Sequence, residues 1–123
     1  MTLVEIAIGG AAGAAARYLV DGWVSDRTGG AFPFGTLVVN LSGAFLLGLL
    51  ATLALERSVL SAAIRPAVLI GFIGAYTTFS TWMLESWRLA EQGAWLGAVA
   101  NIGGSVVLGL VALGAGIAIG RTL

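Results

Sequence analysis

Uncharged polar side chains recur within the apolar segments of this sequence, together with one carboxylate. They are Thr36, Asn40, Ser42, Thr77, Thr78, Ser80, Thr81, Glu85, Asn101 and Ser105. Hydroxyl and carboxamide groups donate hydrogen bonds without carrying a charge. A row of such donors can replace part of the hydration shell of a small anion without trapping it. Because polar side chains are costly inside a bilayer, they are expected to turn toward partners, water or substrate.

The same residue types also hydrogen-bond between ordinary membrane helices, so packing is the competing interpretation. Their clustering favours a site. Gly71 and Gly74 come just before Thr77 and Thr78, and this combination can interrupt a helix and leave backbone carbonyls unpaired. At membrane depth such backbone persists only where it is buried or lines a cavity. Freed carbonyls favour a small cation, and Asn and Thr donors favour a small anion.

Two aromatic residues follow the expected interruption at a helical spacing. Phe79 and Trp82 are three positions apart and share one face of a helix. The edge of an aromatic ring carries partial positive charge, so these rings could assist the Asn donors around an anion. Plain packing explains the same spacing. The other tryptophans, Trp23, Trp87 and Trp95, lie near segment ends and are typical of interfacial anchors.

Composition places these residues in a membrane. The 123-residue chain is 59% hydrophobic and 10% charged, with a mean hydropathy of +1.00. Residues 28–55, 66–84 and 92–120 contain no charged side chain. A helix needs about 20 residues to cross a bilayer. Three spans follow, since the first and third of these runs exceed that length and the second nearly reaches it.

A fourth span is expected at the beginning of the chain, although it must carry Arg17 in its last turns. A signal peptide is the alternative. Arg17 and Asp21 stand where its cleavage site should lie, and no basic region precedes the apolar run. We therefore expect one membrane domain over residues 1–123, all α-helical, with spans at 2–24, 33–55, 66–89 and 94–120. The third helix is expected to be broken near its middle.

Several kinds of function are excluded or made improbable by composition. The chain has no cysteine and no histidine, hence no thiolate chemistry and no imidazole ligand or proton switch. Net charge is zero without a basic cluster, which argues against nucleic acid. A small multidrug-type proton-coupled exporter would need an embedded carboxylate; Glu5 is too near the N-terminus, and Glu85 is expected to pair with Arg88. That exporter and a structural subunit of a larger complex remain alternatives.

The arginines give almost no orientation bias. One side carries Arg57, Arg65 and Arg121, and the other carries Arg27 and Arg88 with Arg17 close by. By the positive-inside rule such a chain can insert both ways up. Two oppositely inserted copies can pair about a twofold axis in the membrane plane, so an antiparallel homodimer is one interpretation. Orientation by the first helix or by a partner is the other.

Small residues mark the helix faces that are expected to pack closely. Span one has Gly9 and Gly13, and span two has Ala44 and Gly48, each pair four apart. Span four carries such residues at intervals of three or four along one side. They are Gly97, Asn101, Ser105, Gly109, Ala112, Gly116 and Gly120. We call this set the small-residue stripe and expect it to be a close-contact face.

Four features together resemble a known family. Gly35–Asn40 (GTLVVN) opens span two, Gly71–Thr81 contains TTFST, Arg17 lies in a small-residue first helix, and Glu85 follows the break. The chain resembles the Fluc (CrcB) family of fluoride channels along its whole length. The combination is specific, because both motifs occur at the expected separation in a four-helix chain of this size.

The resemblance implies a dual-topology homodimer in the inner membrane, with two fluoride pathways that each use both subunits. It implies no covalent step, so an enzyme is not expected. The expected pathway residues are Asn40, Phe79, Trp82, Thr36, Ser80, Thr81, Ser105 and Asn101. The carbonyls of Gly74 and Thr77 would hold one structural Na⁺ at the dimer centre. Arg17 and Glu85 would be structural polar residues.

Two positions depart from the family pattern. Trp82 stands where a second phenylalanine is usual, and Asn101 stands where the fourth helix usually has a tyrosine. Trp82 keeps an aromatic edge and adds an indole N–H donor, while Asn101 adds a donor where a phenol is expected. Either this chain forms a variant pore, or it is one half of a heterodimer. The balanced arginines argue mildly against the heterodimer.

Overall fold

Residues 2–123 are described by a computed structural model, and helices account for most of them. The helices are α1 (Thr2–Thr28), α2 (Phe34–Leu55), a π-helical segment (Pro66–Phe72), α3 (Ile73–Tyr76), α4 (Phe79–Glu91) and α5 (Trp95–Thr122). The described residues contain no strand. Four helical stretches are long and apolar enough to cross a membrane, with Pro66–Glu91 forming the third span. The prediction of a four-span, all-helical membrane protein is confirmed.

The first helix is longer than expected because its last turn is held by its own side chains. The Thr28 hydroxyl donates to the Val24 carbonyl at 2.9 Å, and the Arg27 guanidinium lies over the Trp23 ring at 4.0 Å. The chain turns instead at Gly29 and Gly30, whose φ angles are +78° and +75°. Only glycine adopts that left-handed region without strain.

The glycines of α1 pack against the beginning of the third span. A Cβ on Gly9 would meet the Ala67 carbonyl, and one on Gly13 would meet the Phe72 carbonyl. In return, a Cβ on Gly71 would meet the Ile6 carbonyl of α1. Two backbones therefore touch here, as the spacing of Gly9 and Gly13 predicted. The π-helical winding of residues 66–72 was not predicted.

The third span is interrupted where the sequence predicted. Thr77 (φ −82°, ψ 156°) and Thr78 (φ −145°, ψ 120°) are extended, between α3 and α4. We call these two residues the break. The Thr78 hydroxyl accepts from the Thr81 N–H at 3.2 Å and so caps α4. On the other side, the Thr77 methyl occupies the space that a Cβ on Gly43 of α2 would need.

Candidate functional site

The break is held open by Asn40 of α2. The Asn40 Nδ2 group donates to the Thr78 carbonyl at 2.9 Å, and the Thr78 N–H donates to Asn40 Oδ1 at 2.8 Å. The carboxamide thus pairs with Thr78 as a neighbouring peptide group would. The first bond needs a donor on Asn40 and the second needs an acceptor, so together they determine which side-chain atom is Nδ2 and which is Oδ1. This clamp leaves the second Nδ2 hydrogen for another acceptor.

The same bonds remove the helical partners of two carbonyls. In an uninterrupted helix the Thr78 N–H would donate to the Gly74 carbonyl, and the Thr81 N–H to the Thr77 carbonyl. Here these amides donate to Asn40 Oδ1 and to the Thr78 hydroxyl. Gly74 and Thr77 are the two residues whose carbonyls were expected to hold a cation. Both carbonyls have therefore lost the amide donors that a continuous helix would supply.

A cavity of about 460 Å³ lies beside the clamp, between α2, the break and α5. Its polar lining comes from Asn40, Thr77, Thr78 and Ser105, and its aromatic lining from Phe79 and Trp82. The remaining lining is Gly43, Ala44, Leu47, Ile73, Val106, Gly109 and Leu110. None of these described lining residues has an ionisable side chain. We call this space the central cavity.

The two aromatic rings of the central cavity meet edge to face. Phe79 and Trp82 have ring centroids 5.7 Å apart with an interplanar angle of 81°. Phe79 is 71% exposed on this chain. The indole N–H of Trp82 is already used, because it donates to the Asn101 backbone carbonyl at 3.0 Å. The extra donor expected from this substitution is therefore directed at α5.

Asn101 belongs to a helix–helix contact and does not line the central cavity. It is 1% exposed, and its Nδ2 group donates to the Ser86 hydroxyl at 2.8 Å. Ser86 in turn donates to the Trp82 carbonyl at 2.8 Å, which fixes Nδ2 as the donor of the carboxamide. Asn101 Oδ1 is buried without a partner. The pathway role expected for Asn101 is not supported by this placement.

A second cavity, of about 230 Å³, lies between α1, α2 and α4. Arg17, Thr36, Thr78 and Thr81 line it, so Thr78 contributes to both this cavity and the central one. A third cavity of about 340 Å³ contains Glu85 and shares Thr81 with the second. Thr78 and Thr81 thus lie where successive cavities adjoin.

Glu85 bonds to α2 and not to its neighbour on α4. Its Oε1 accepts from the hydroxyl of the buried Thr36 at 2.5 Å. Among residues 2–123 the single ion pair joins Arg121 to Glu56, so the expected Glu85–Arg88 pair is not formed. The Thr36 side chain reaches from α2 to α4 at a separation of 49 residues in sequence. Spacing on one helix could not have revealed this cross-helix partner.

The remaining hydroxyls divide between the surface and helix contacts. Ser80 is exposed and is not among the lining residues of the cavities described above. Ser42 lies 2.8 Å from the Tyr76 hydroxyl, which ties α2 to α3. Ser86 was missed as a candidate because it looks like one polar residue on an amphipathic helix. Its position four residues after Trp82 was the available signal.

The sequence of the chain is similar to those of known proteins. Residues 4–117 match the family model described as CrcB-like protein, Camphor Resistance (CrcB). The chain belongs to the CrcB family. The matched residues of this CrcB chain include the clamp, the break and the linings of all three cavities.

Individual relatives of this CrcB chain carry one name, fluoride-specific ion channel FluC. The protein of Methylococcus capsulatus is 48% identical over 123 residues, which are 100% of this chain but 54% of that protein. The chain thus spans about half the length of that relative. The protein of Hahella chejuensis is 46% identical over 98% of this chain and 95% of its own length. That of Magnetococcus marinus is 44% identical over the full length of both.

Proposed function

We propose that this chain forms a fluoride-selective channel that lets fluoride leave the cell passively through the inner membrane and so relieves fluoride toxicity. The observation that carries the proposal is the lining of the central cavity. Asn40 and Ser105 bring neutral donors and Phe79 brings a ring, with no ionisable side chain among the lining residues. The relatives named fluoride-specific ion channel support the choice of ion.

Neutral dipoles suit the physics of fluoride permeation. Moving a bare small ion into hydrocarbon costs tens of kcal/mol in the Born limit. The unused Nδ2 hydrogen of Asn40, the unpaired hydroxyl of Ser105 and the edge of Phe79 can offset that cost. None of them carries a full positive charge that would hold the ion. This is channel chemistry, without a bond-making step.

A second copy in the opposite orientation would complete the pathway. Phe79 is 71% exposed although it lines the cavity, so one wall is left to a neighbour or to lipid. A Cβ on Gly74, Gly103, Gly104 or Gly109 would meet nothing within 4 Å, so the backbone there is open to close approach. With the balanced arginines, these features support an antiparallel homodimer embedded in the bilayer.

One structural Na⁺ at the dimer centre fits the donor set of the break. Carbonyl oxygens suit hard cations such as Na⁺, and those of Gly74 and Thr77 lack the amide donors of a continuous helix. When bound, the ion would supply positive charge that stabilises the interrupted backbone. Gly74, with open space at its Cβ position, leaves room for the same residues of a second copy.

Efflux from liposomes tests the channel directly. Purified chain in liposomes loaded with fluoride or chloride salt should release fluoride rapidly, with negligible chloride loss and little dependence on a proton gradient. Ion-selective electrodes record both. Liposomes that retain fluoride would contradict the proposal. Activity of the single purified chain would also exclude a required heterologous partner.

Carboxylate replacement separates the channel from a proton-coupled exporter. The exporter would lose transport in the variant carrying both Glu5→Gln and Glu85→Gln. A channel lined by neutral dipoles should keep fluoride flux and remain indifferent to a proton gradient. A purely structural subunit would release no fluoride from the loaded liposomes.

Labelling tests the opposed orientation. The chain has no cysteine, so Leu123→Cys places a single thiol at the C-terminus. In intact cells, a membrane-impermeant maleimide should label about half of the molecules if both orientations occur equally, as the positive-inside balance predicts. Labelling of all or none would contradict dual topology.

A further inference from the structure

Among residues 2–123, Ser105 has the one buried side-chain hydroxyl without a hydrogen-bond partner. In membrane helices, Ser and Thr commonly donate to the carbonyl four residues earlier. Thr28, Thr52, Thr77 and Ser86 all do so here, at distances from 2.8 to 3.0 Å. The Ser105 hydroxyl is buried on α5 and has no hydrogen-bond partner. It does not bond to the usual acceptor, the carbonyl four residues earlier.

That acceptor is the backbone carbonyl of Asn101, and Trp82 occupies it. The indole N–H of Trp82 reaches from α4 and donates to this carbonyl at 3.0 Å. A phenylalanine at position 82 would have no N–H to place there. Ser105 and Trp82 both line the central cavity, with Phe79 and Asn40. The residue that carries the unpaired hydroxyl therefore lines the space that the proposed function assigns to fluoride.

We propose that Trp82 is a positioning residue for fluoride: its indole N–H occupies the Asn101 carbonyl and leaves the Ser105 hydroxyl free to donate to the ion. This inference rests on the proposed function. Ser86 and Asn101 support the arrangement, because their side chains bond to each other and Ser86 bonds back to Trp82. The hydroxyl of Ser105 is thus the donor to the ion, and Trp82 keeps that hydroxyl available.

The flux test is a double-mutant cycle on fluoride efflux from liposomes. Trp82→Phe keeps an aromatic ring but removes the indole donor from the Asn101 carbonyl, so the Ser105 hydroxyl turns to that carbonyl and flux falls about fivefold, as for the loss of one neutral hydrogen bond. Ser105→Ala should fall by the same factor. The double variant should fall no further. If the falls in flux of the two single variants multiply in the double variant, the proposal is overturned. Normal flux in Trp82→Phe would overturn it as well.

Two further variants control for general effects of the substitutions. Trp87→Phe is the matched control, since its indole N–H donates to Glu91 on the exposed surface, away from the central cavity. It should conduct like the unmodified chain. Ser105→Thr keeps a hydroxyl at this position. Its fluoride flux should therefore exceed that of Ser105→Ala only when Trp82 is present. Recovery in both backgrounds would contradict the role of Trp82.

A readout that needs no conduction separates this inference from the proposed function. Because the chain contains no cysteine, Ser105→Cys introduces a single S–H group, whose infrared stretch reports whether it donates a hydrogen bond. The band should lie at lower frequency in the Trp82→Phe background, where the thiol reaches the Asn101 carbonyl. Identical bands in both backgrounds would overturn the positioning role even if fluoride flows. A shifted band without fluoride flux would instead overturn the proposed function.

Discussion

The helices α2 and α5 meet in two different ways along their length. Near the C-terminal end of each helix, backbone lies against backbone: a Cβ on Gly48 would meet the Leu113 carbonyl, and one on Gly116 would meet the Phe45 carbonyl. Nearer the N-terminal end of each helix, Asn40 and Ser105 line the central cavity. The same pair of helices therefore forms a closed contact at one end and part of the lining of the central cavity at the other.

The small-residue stripe of α5 accordingly has two parts, one that contacts α2 and one that lines the central cavity. Gly116 and Gly120 are small because α2 touches them, whereas a Cβ on Gly109 would meet nothing within 4 Å. Gly109 instead lines the central cavity. Spacing along a helix identifies which residues share a face, but it does not reveal how far away the neighbouring helix lies.

One substitution made in both halves gives the largest expected contrast. Gly116→Ala forces a Cβ into the Phe45 carbonyl and should destabilise the protein by about 3 kcal/mol, the upper part of the usual range for overpacking. Gly109→Ala should change the stability of an isolated chain by less than about 0.5 kcal/mol, since no other atom of that chain lies within 4 Å of the added Cβ. Thermal unfolding in detergent measures both. Equal losses at the two positions would show that α5 is uniformly packed.

Within the open half, Asn40→Asp should be the most damaging change to flux. The aspartate keeps an acceptor for the Thr78 N–H but loses the donor to the Thr78 carbonyl, and its charge repels an anion in the central cavity. Like-charge contact costs several kcal/mol, and each 1.4 kcal/mol is tenfold, so fluoride efflux should fall at least about 100-fold.

Ser42→Ala is the control for Asn40→Asp. Ser42 is two residues away on α2 and bonds to Tyr76, but it does not line the central cavity. Efflux in this variant should stay within about twofold of normal, as expected for a substitution worth less than about 0.5 kcal/mol in permeation. If Asn40→Asp conducts normally, Asn40 is a structural clamp with no part in the pathway.

Phe79→Ile should have a smaller effect because it removes only a ring edge. The side chain is 71% exposed on one chain, so folding in detergent should be unchanged. Aromatic edges contribute about 0.5–1.5 kcal/mol, which corresponds to a fall in fluoride efflux of about two- to tenfold. Normal efflux with normal folding would assign the Phe79–Trp82 contact to packing alone.

The sequence was sufficient to predict the four helices and the interruption of the third. Apolar runs of membrane-spanning length mark the helices, and Gly74 before Thr77 and Thr78 marks the break. These are local properties that depend on residue type and order. Asn40 was also identifiable, because a lone carboxamide in an apolar helix needs a partner.

The cross-helix partners could not be predicted from the same patterns. Thr36 bonds to Glu85 across 49 residues, and Trp82 bonds to Asn101 across 19. Both bonds depend on how neighbouring helices are rotated about their axes, which periodicity does not determine. For that reason Glu85 was expected to pair with Arg88 on its own helix, and Asn101 was expected to line the fluoride pathway, whereas its side chain bonds to Ser86.

The smallest effect is expected at the closed end of the α2–α5 pair, where Arg121 donates to both carboxylate oxygens of Glu56 at 2.9 and 3.0 Å. These hydrogen bonds lower the pKa of the exposed Glu56 from its usual 4.5. The pair's contribution to stability is therefore complete above the unfolded-state pKa and is lost as pH falls through the lower folded-state pKa. Glu56→Gln should slightly lower the unfolding temperature at neutral pH, less so in high salt, and should leave fluoride efflux unchanged. A loss of efflux comparable to that of Asn40→Asp would mean that the closed end takes part in permeation, and the division between the two halves would fail.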